Sequence, residues 1–231
     1  MTDDPAADLK RQVGLAAAAL VEDGMVVGLG TGSTAAFVIA ALGERVRQGL
    51  QFVGIPTSER SAEQARGVGI ALSDFAHHPE IDLTIDGADE IERGSLNLIK
   101  GLGGALLREK IVAAASRRLV IIADDRKLVD HLGEHTAVPV EVSPFGWESA
   151  ALQLGRLGAA VTPRRNRGGI LFVTDGGNMI LDCRFGVIEQ PAALERQIGE
   201  IVGVIESGLF IGRATLAIVA GEGGIVEYRP Q

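Results

Sequence analysis

Met25-Val26-Val27-Gly28-Leu29-Gly30-Thr31-Gly32-Ser33-Thr34 is the stretch from which the rest of the chain can be read. Residues 25–29 form a short apolar run, which predicts a strand. Gly30 and Gly32 then fold residues 30–33 into a tight turn, and residues 34–42 repeat apolar side chains at helical spacing. The turn therefore delivers its amides and the hydroxyls of Thr31, Ser33 and Thr34 to a helix N-terminus, a place that favours an anion such as phosphate. A Walker loop would need a lysine before the Ser or Thr, and none is present. A dinucleotide fold would need an acid ending the second strand, where this chain has Gly54-Ile55-Pro56-Thr57-Ser58. A nucleotide cofactor is disfavoured, and a small phosphorylated metabolite is favoured.

Working outward, Leu9, Val13, Ala16, Ala17 and Leu20 predict a helix with Asp8 as its N-cap, ended by Asp23-Gly24. Further strands are expected at 51–55, 81–85 and 119–123, with helices at 58–66 and 104–115. These strands are apolar without alternation, as where helices cover both faces of a sheet. The fold class expected is α/β: a Rossmann-like, doubly wound, mostly parallel sheet with a second, smaller α+β domain. The loops after Leu29, Ile55, Ile85 and Ala123 then share the carboxyl edge, where ligands bind.

The pattern changes near residue 130. Residues 137–142 predict a strand that Pro139 assigns to a sheet edge. Strands at 159–162, 171–174 and 179–183, a hairpin turn at Asp175-Gly176-Gly177-Asn178, and helices at 147–157 and 192–201 make up a small α+β layer. Strands near 215–219 and 225–228 return to the first unit. The expected domains are residues 1–130 with 207–231, and residues 131–206. The apolar segments 201–205 and 209–211 suit an interdomain core and a subunit interface equally.

Composition narrows the partners. In 231 residues, 46% are apolar, so wholesale disorder is excluded. Lys plus Arg is 22 and Asp plus Glu is 30, a net charge of −8, which argues against a nucleic-acid partner. The densest basic cluster, Arg164, Arg165 and Arg167, reads as a solvated loop. One cysteine, Cys183, excludes an intrachain disulfide and a Cys-based zinc site, and is expected to be buried. His77, His78, His131 and His135 lack zinc-site spacing. No apolar stretch reaches the roughly 20 residues that span a bilayer, and residues 1–5 carry no basic leader. A cytoplasmic location with no membrane partner is expected.

Three further motifs carry chemistry. Asp86-Gly87-Ala88-Asp89-Glu90 follows a strand, and paired carboxylates there suit sugar hydroxyls and proton movement, Mg²⁺, or turn capping. Lys100-Gly101-Leu102-Gly103-Gly104 puts a lysine before a glycine turn, able to meet a phosphate or a developing oxyanion. Glu109 sits early in the helix that follows, where it can point back toward that turn. Lys127, after the strand 119–123, adds a positive charge at the same edge.

Taken jointly with Pro144-Phe145-Gly146-Trp147-Glu148 and Gly208-Leu209-Phe210-Ile211-Gly212, these motifs resemble ribose-5-phosphate isomerase type A over roughly residues 9–228. The resemblance implies an enzyme of the non-oxidative pentose phosphate pathway. It would interconvert D-ribose 5-phosphate and D-ribulose 5-phosphate through a cis-enediolate, with no metal and no cofactor. It implies a homodimer, or a pair of dimers as a homotetramer. By position it assigns Glu109 as the catalytic base, Asp86 and Asp89 as sugar-facing acids, and Lys100 as the oxyanion partner. Substrate binding falls to Lys10, Gly30, Thr31, Gly32, Ser33, Thr34, Gly101, Gly103, Gly104 and Lys127. A non-catalytic sugar-phosphate sensor, or an enzyme for another aldose phosphate, would share the phosphate turn.

The chain departs from the family pattern at two places. Leu102 interrupts the glycine run, and Arg126 stands where the family commonly has serine before the lysine. Leu102 is expected to take a negative φ and to pack on an apolar neighbour outside the pocket, since Gly101 and Gly104 can supply the tight path.

Overall fold

The computed structural model describes residues 5–231, so the expectation drawn from residues 1–4 lies outside the described residues. Six α-helices are present among them: α1 Pro5–Ala18, α2 Ser33–Arg47, α3 Glu59–Gly67, α4 Leu106–Ala114, α5 Trp147–Arg156 and α6 Pro191–Gly199. The first strands are β1 Val26–Leu29, β2 Val53–Pro56, β3 Ala71–Leu72, β4 Leu83–Gly87, β5 Glu90–Glu92, β6 Leu98–Ile99, β7 Leu119–Asp124 and β8 Leu128–Val129. They are followed by β9 Val138–Val142, β10 Ala160–Pro163, β11 Met179–Arg184, β12 Val204–Ser207, β13 Leu209–Phe210, β14 Leu216–Gly221 and β15 Gly224–Tyr228.

The central sheet has the order β15-β14-β7-β4-β1-β2-β3. Its neighbours are parallel except for the β14–β15 hairpin. This is the doubly wound, mostly parallel sheet that the sequence predicts. The lack of alternation in β7 has a direct cause. Val120 and Ile122 enter one core with Leu29, Ile39 and Leu42, while Leu119, Ile121 and Ala123 enter a second with Leu98 and Phe210. β14 divides the same way, Leu216, Ile218 and Ala220 against Ala217 and Val219. A strand with two buried faces needs apolar side chains at every position.

A second sheet, β10-β11-β9-β12, packs with α5 and α6 around Val140, Leu154, Leu181 and Ile198. Two expectations fail here. Residues 171–174 form bridges at Leu171 and Val173 and no strand. β9 is interior, paired on both sides, and is not an edge. In an antiparallel strand one residue's N–H and C=O face the same neighbour. The Pro139 carbonyl accepts from Gly208 N at 2.7 Å, so its missing N–H also faces Gly208. The Gly208 carbonyl accepts instead from Lys100 N at 2.9 Å, which leaves no acceptor stranded by the proline.

A third sheet, β13-β6-β5-β8, lies between the other two and ends at Lys100. Its strands are two or three residues long, too short to show a period. In the apolar segments near 201–211, Ile201, Leu209 and Phe210 are buried in apolar clusters, whereas Val202 is almost fully exposed.

Helix ends also differ from expectation. α1 begins at Pro5, so Asp8 is a first-turn acid that favours the helix dipole and is not the cap. α2 runs on to Arg47, and Arg45 in its last turn donates to the Val21 carbonyl at 2.8 Å and to Ala18 O, tying the helix end to the end of α1. α3 starts as expected, with Ser58 Oγ accepting from Ser61 N at 3.1 Å.

Candidate active site

Four elements bring their chemistry to one cavity of about 220 Å³ at the carboxyl edge of the central sheet. The turn after β1 and the start of α2 supply Thr31, Gly32, Ser33 and Thr34. The loop after β4 supplies Asp89, the loop between β6 and α4 supplies Lys100, Gly101 and Gly103, and α4 supplies Glu109. Lys10 from α1 and Lys127 after β7 stand on the same wall. Asp124 and Arg126 also line it.

Buried charge dominates one part of this site. Lys100 and Asp86 are each about 98% shielded from solvent or more, and Glu109 is nearly as buried. Lys100 Nζ lies 2.9 Å from Asp86 Oδ2 and 3.4 Å from Glu109 Oε2, and it donates to the Gly87 carbonyl at 2.5 Å. Burial works against the ammonium, but Asp86 and then Glu109 outweigh it and hold Lys100 above the ordinary lysine range. Glu109 goes the other way. Burial pushes its carboxyl up to about 8, Lys100 opposes the rise, and Asp86 and Asp89 add to it. Glu109 Oε2 accepts no hydrogen bond, so a buried acceptor faces the cavity unsatisfied. Such an oxygen costs about 1–3 kcal/mol and suits a group kept ready for a proton.

Asp86 anchors two neighbours besides Lys100. Its Oδ1 accepts from Thr31 N at 3.0 Å and Gly87 N at 2.7 Å. Because Lys100 occupies the cation's place beside Asp86, the arrangement favours proton handling over Mg²⁺ among the readings the motif left open. Asp89 is raised by burial, partly offset by Leu102 N, which donates to its Oδ2 at 2.9 Å.

The remainder is an anion cradle. α2 begins at Ser33 behind Gly32, whose φ of 115° suits a residue without a side chain. Lys10 Nζ donates to Ser33 Oγ at 3.0 Å, placing its charge at that helix N-terminus. Arg126 closes a two-pronged pair on Asp124, at 2.8 and 3.2 Å. Burial would raise Asp124, but the Arg126 hydrogen bonds override it and hold the carboxyl low.

Some predicted residues sit elsewhere. Asp86, Gly30 and Gly104 are absent from the wall, Asp86 lying buried behind it against Lys100. Gly30 is required because a Cβ would come within 2.2 Å of Asp86 Oδ1, and Gly104 because its φ is 86° and a Cβ would meet the Phe172 ring at 2.4 Å. Thr31 lines the cavity, yet its amide serves Asp86 and its hydroxyl lies 2.7–3.1 Å from the hydroxyls of Thr57, Ser58 and Ser61. Leu102 has no positive φ, as expected, but it is about half exposed and joins no buried apolar cluster.

Sequence reading missed the hydroxyl cluster and the part played by Arg164. Arg164 is not a solvated residue: its side chain is 11% exposed, paired with Asp182. Cys183 is buried as expected, and burial followed by the Asp182 charge pushes its thiol up to about 12.

The family profile described as Ribose 5-phosphate isomerase A (phosphoriboisomerase A) matches residues 53–224. The chain belongs to the ribose 5-phosphate isomerase A family. A ribose-5-phosphate isomerase A of Gloeobacter violaceus is 62% identical over 96% of both chains, and that of Gluconobacter oxydans is 58% identical over the same shares. A solved isomerase A of Methanocaldococcus jannaschii superposes with a TM-score of 0.92 at 39% identity, covering 96% of this chain and 98% of its own. A D-ribose-5-phosphate isomerase solved with phospho-erythronic acid reaches 0.94 at 36% identity, covering 97% of this chain and 99% of its own.

The pH profile follows from the raised Glu109 carboxyl. To act as a base this group has to be ionised. kcat/KM is therefore expected to rise with pH up to about 8 and then level off, because Lys100 keeps its proton well beyond that range. Initial rates between pH 5.5 and 9.5 check this. A profile already flat at pH 6 would contradict Glu109 as the base with this raised carboxyl.

Proposed function

We propose that this chain interconverts D-ribose 5-phosphate and D-ribulose 5-phosphate by moving a proton between C2 and C1. The observation that carries the reading is the buried, unsatisfied Glu109 Oε2 set 3.4 Å from Lys100 Nζ beside an anion cradle. In the aldose-to-ketose direction Glu109 removes the C2 proton, leaving a cis-enediolate. Lys100 and the turn amide of Gly103 stabilise the charge that develops on oxygen. Glu109 then returns the proton to C1. Asp86 shuttles a hydroxyl proton as the furanose ring opens, and Asp89 orients the sugar. Lys10, Ser33, Thr34 and Lys127 hold the phosphate with the α2 amides, and Thr31 braces that loop from beneath. Binding energy from the phosphate is spent on orienting the distant carbons. The related enzyme's ligand, phospho-erythronic acid, supports this division, since it carries a carboxylate and a phosphate on one short polyhydroxylated chain.

The direct test is isomerase activity across four-, five- and six-carbon aldose phosphates with EDTA present. Preference for the five-carbon substrate, undiminished by EDTA, is expected. A six-carbon preference would overturn the pentose assignment, and metal dependence would return Mg²⁺ to Asp86 and Asp89. Binding without turnover would favour the sensor reading.

The same proposal divides the chain into residues 1–130 with 207–231 as the catalytic domain and 131–206 as the smaller domain. The central strands β1–β4, β7, β14 and β15 fall in the first part, and β9–β11 fall in the second. We also propose a cytoplasmic homodimer, or a homotetramer of paired dimers, on the strength of family membership. Among the described residues no helix is long and apolar enough to cross a membrane. Light scattering at micromolar concentration tests the assembly, and a fully active monomer of 24.1 kDa would defeat it.

A further inference from the structure

We propose that Arg164, held by Asp182, is a positioning residue for the isomerisation, acting from the second sheet on the peptides of the Lys100–Gly104 turn. The inference rests on the isomerase reading above. Arg164 follows β10, and Asp182 lies on β11, the antiparallel neighbour of β10. The guanidinium meets the carboxylate two-pronged, Nε donating to Oδ2 at 3.0 Å and Nη2 donating to Oδ1. That pair fixes the plane of the guanidinium and leaves Nη1 aimed out of the second sheet. Nη1 donates to the carbonyl of Gly101 at 2.7 Å and to that of Leu102 at 3.0 Å.

Those two carbonyls belong to successive peptides of the turn that joins Lys100 to the helix of Glu109. No described peptide is cis, so each N–H points opposite its C=O. With the carbonyls drawn toward Arg164, the amides turn away from it. The first, Leu102 N, donates to Asp89 on the cavity wall at 2.9 Å. The second, Gly103 N, is turned from the guanidinium at a residue that itself lines the cavity. A positive charge on a carbonyl also polarises its peptide and strengthens the opposite N–H as a donor. Arg164 thus sets both the direction and the strength of two donors, one that holds Asp89 on the wall and one, Gly103 N, at the cavity itself. From the same region the Phe172 ring also closes on the turn, at Gly104.

The test is steady-state kinetics of Arg164→Met, Arg164→Lys and Asp182→Asn beside the wild type. A misplaced constellation of this kind costs up to about 100-fold. Arg164→Met is expected to lose roughly 10- to 100-fold in kcat with KM changed less than about 3-fold, since the phosphate cradle is untouched. Arg164→Lys, with a point charge in place of a fork, should recover only part of that loss. Added millimolar guanidinium should restore part of the activity of an Arg164→Ala variant and do nothing for the wild type. A folded Arg164→Met with wild-type kcat, or a loss confined to KM, overturns the proposal. If that variant fails to fold, Asp182→Asn decides alone: wild-type kcat there overturns it, and a fall in kcat at constant KM bears it out. Failure of the isomerase reading is distinct, because the wild type itself would then be inactive on ribose 5-phosphate.

Discussion

Replacing Glu109 by glutamine is expected to lower kcat by at least ~100-fold, the lower bound for losing a positioned general base. Glutamine keeps the shape and removes the ionisable group, so KM should move little. Stability should move in the opposite sense. The folded carboxyl sits near 8, above its ordinary value, so its contribution to stability is full below about pH 4.5 and is lost as pH rises through about 8. Glutamine mimics the protonated form and escapes that loss. Glu109→Gln should therefore match the wild type in melting temperature near pH 4.5 and exceed it increasingly toward pH 9. Turnover of ribose 5-phosphate and melting curves at several pH values check both parts. Near-normal turnover would remove Glu109 from the role of base.

The second large effect belongs to Lys100→Met. Lys100 compensates two buried carboxylates, Asp86 at 2.9 Å and Glu109 at 3.4 Å. Removing one partner of a buried ion pair costs about 3–5 kcal/mol, because the remaining charge is left without compensation. For a chain of this size that corresponds to a fall in melting temperature of roughly 6–20 °C. Loss of an oxyanion donor separately lowers kcat by ~100- to 1000-fold. The Glu109 carboxyl should climb further without the lysine that restrains it. Adding Glu109→Gln to Lys100→Met should then recover part of the lost stability and none of the activity. Calorimetry with single-turnover rates tests this; a melting temperature within 2 °C of wild type would mean that the buried cluster is not held together by charge.

Much of the site is legible in the sequence because it depends on local rules. A glycine turn between a strand and a helix presents free amides at a helix N-terminus, a place that favours an anion, and the apolar run of β7 declares that both its faces are covered. The depth at which Lys100 meets Glu109 is not local. It depends on β6 and β13, whose two residues each show no period, and on the ring of Phe210, 5.4 Å from Lys100 Nζ. Arg164 was illegible for a related reason. With Arg165 and Arg167 beside it in sequence it looks like part of a solvated loop, while its partners are Asp182 on the adjacent strand and a turn some sixty residues earlier. Pro139 misled by a sound rule, since a proline does usually mark a sheet edge. Here Lys100 N takes the acceptor that the proline cannot use.

That last contact sets a timetable for biosynthesis. Lys100 N is tethered by the Gly208 carbonyl, and β14 then inserts against β7 in the central sheet. A ribosome adds roughly 5–20 residues per second, so the lysine emerges several seconds before its tether is made. Throughout that interval the nascent chain has its phosphate turn and its carboxylates but lacks the contact that fixes the reactive turn. High-separation contacts of this kind slow folding. Substrate present during translation therefore has little to bind until residue 208 has left the exit tunnel, and nascent chains paused before that residue should emerge without activity.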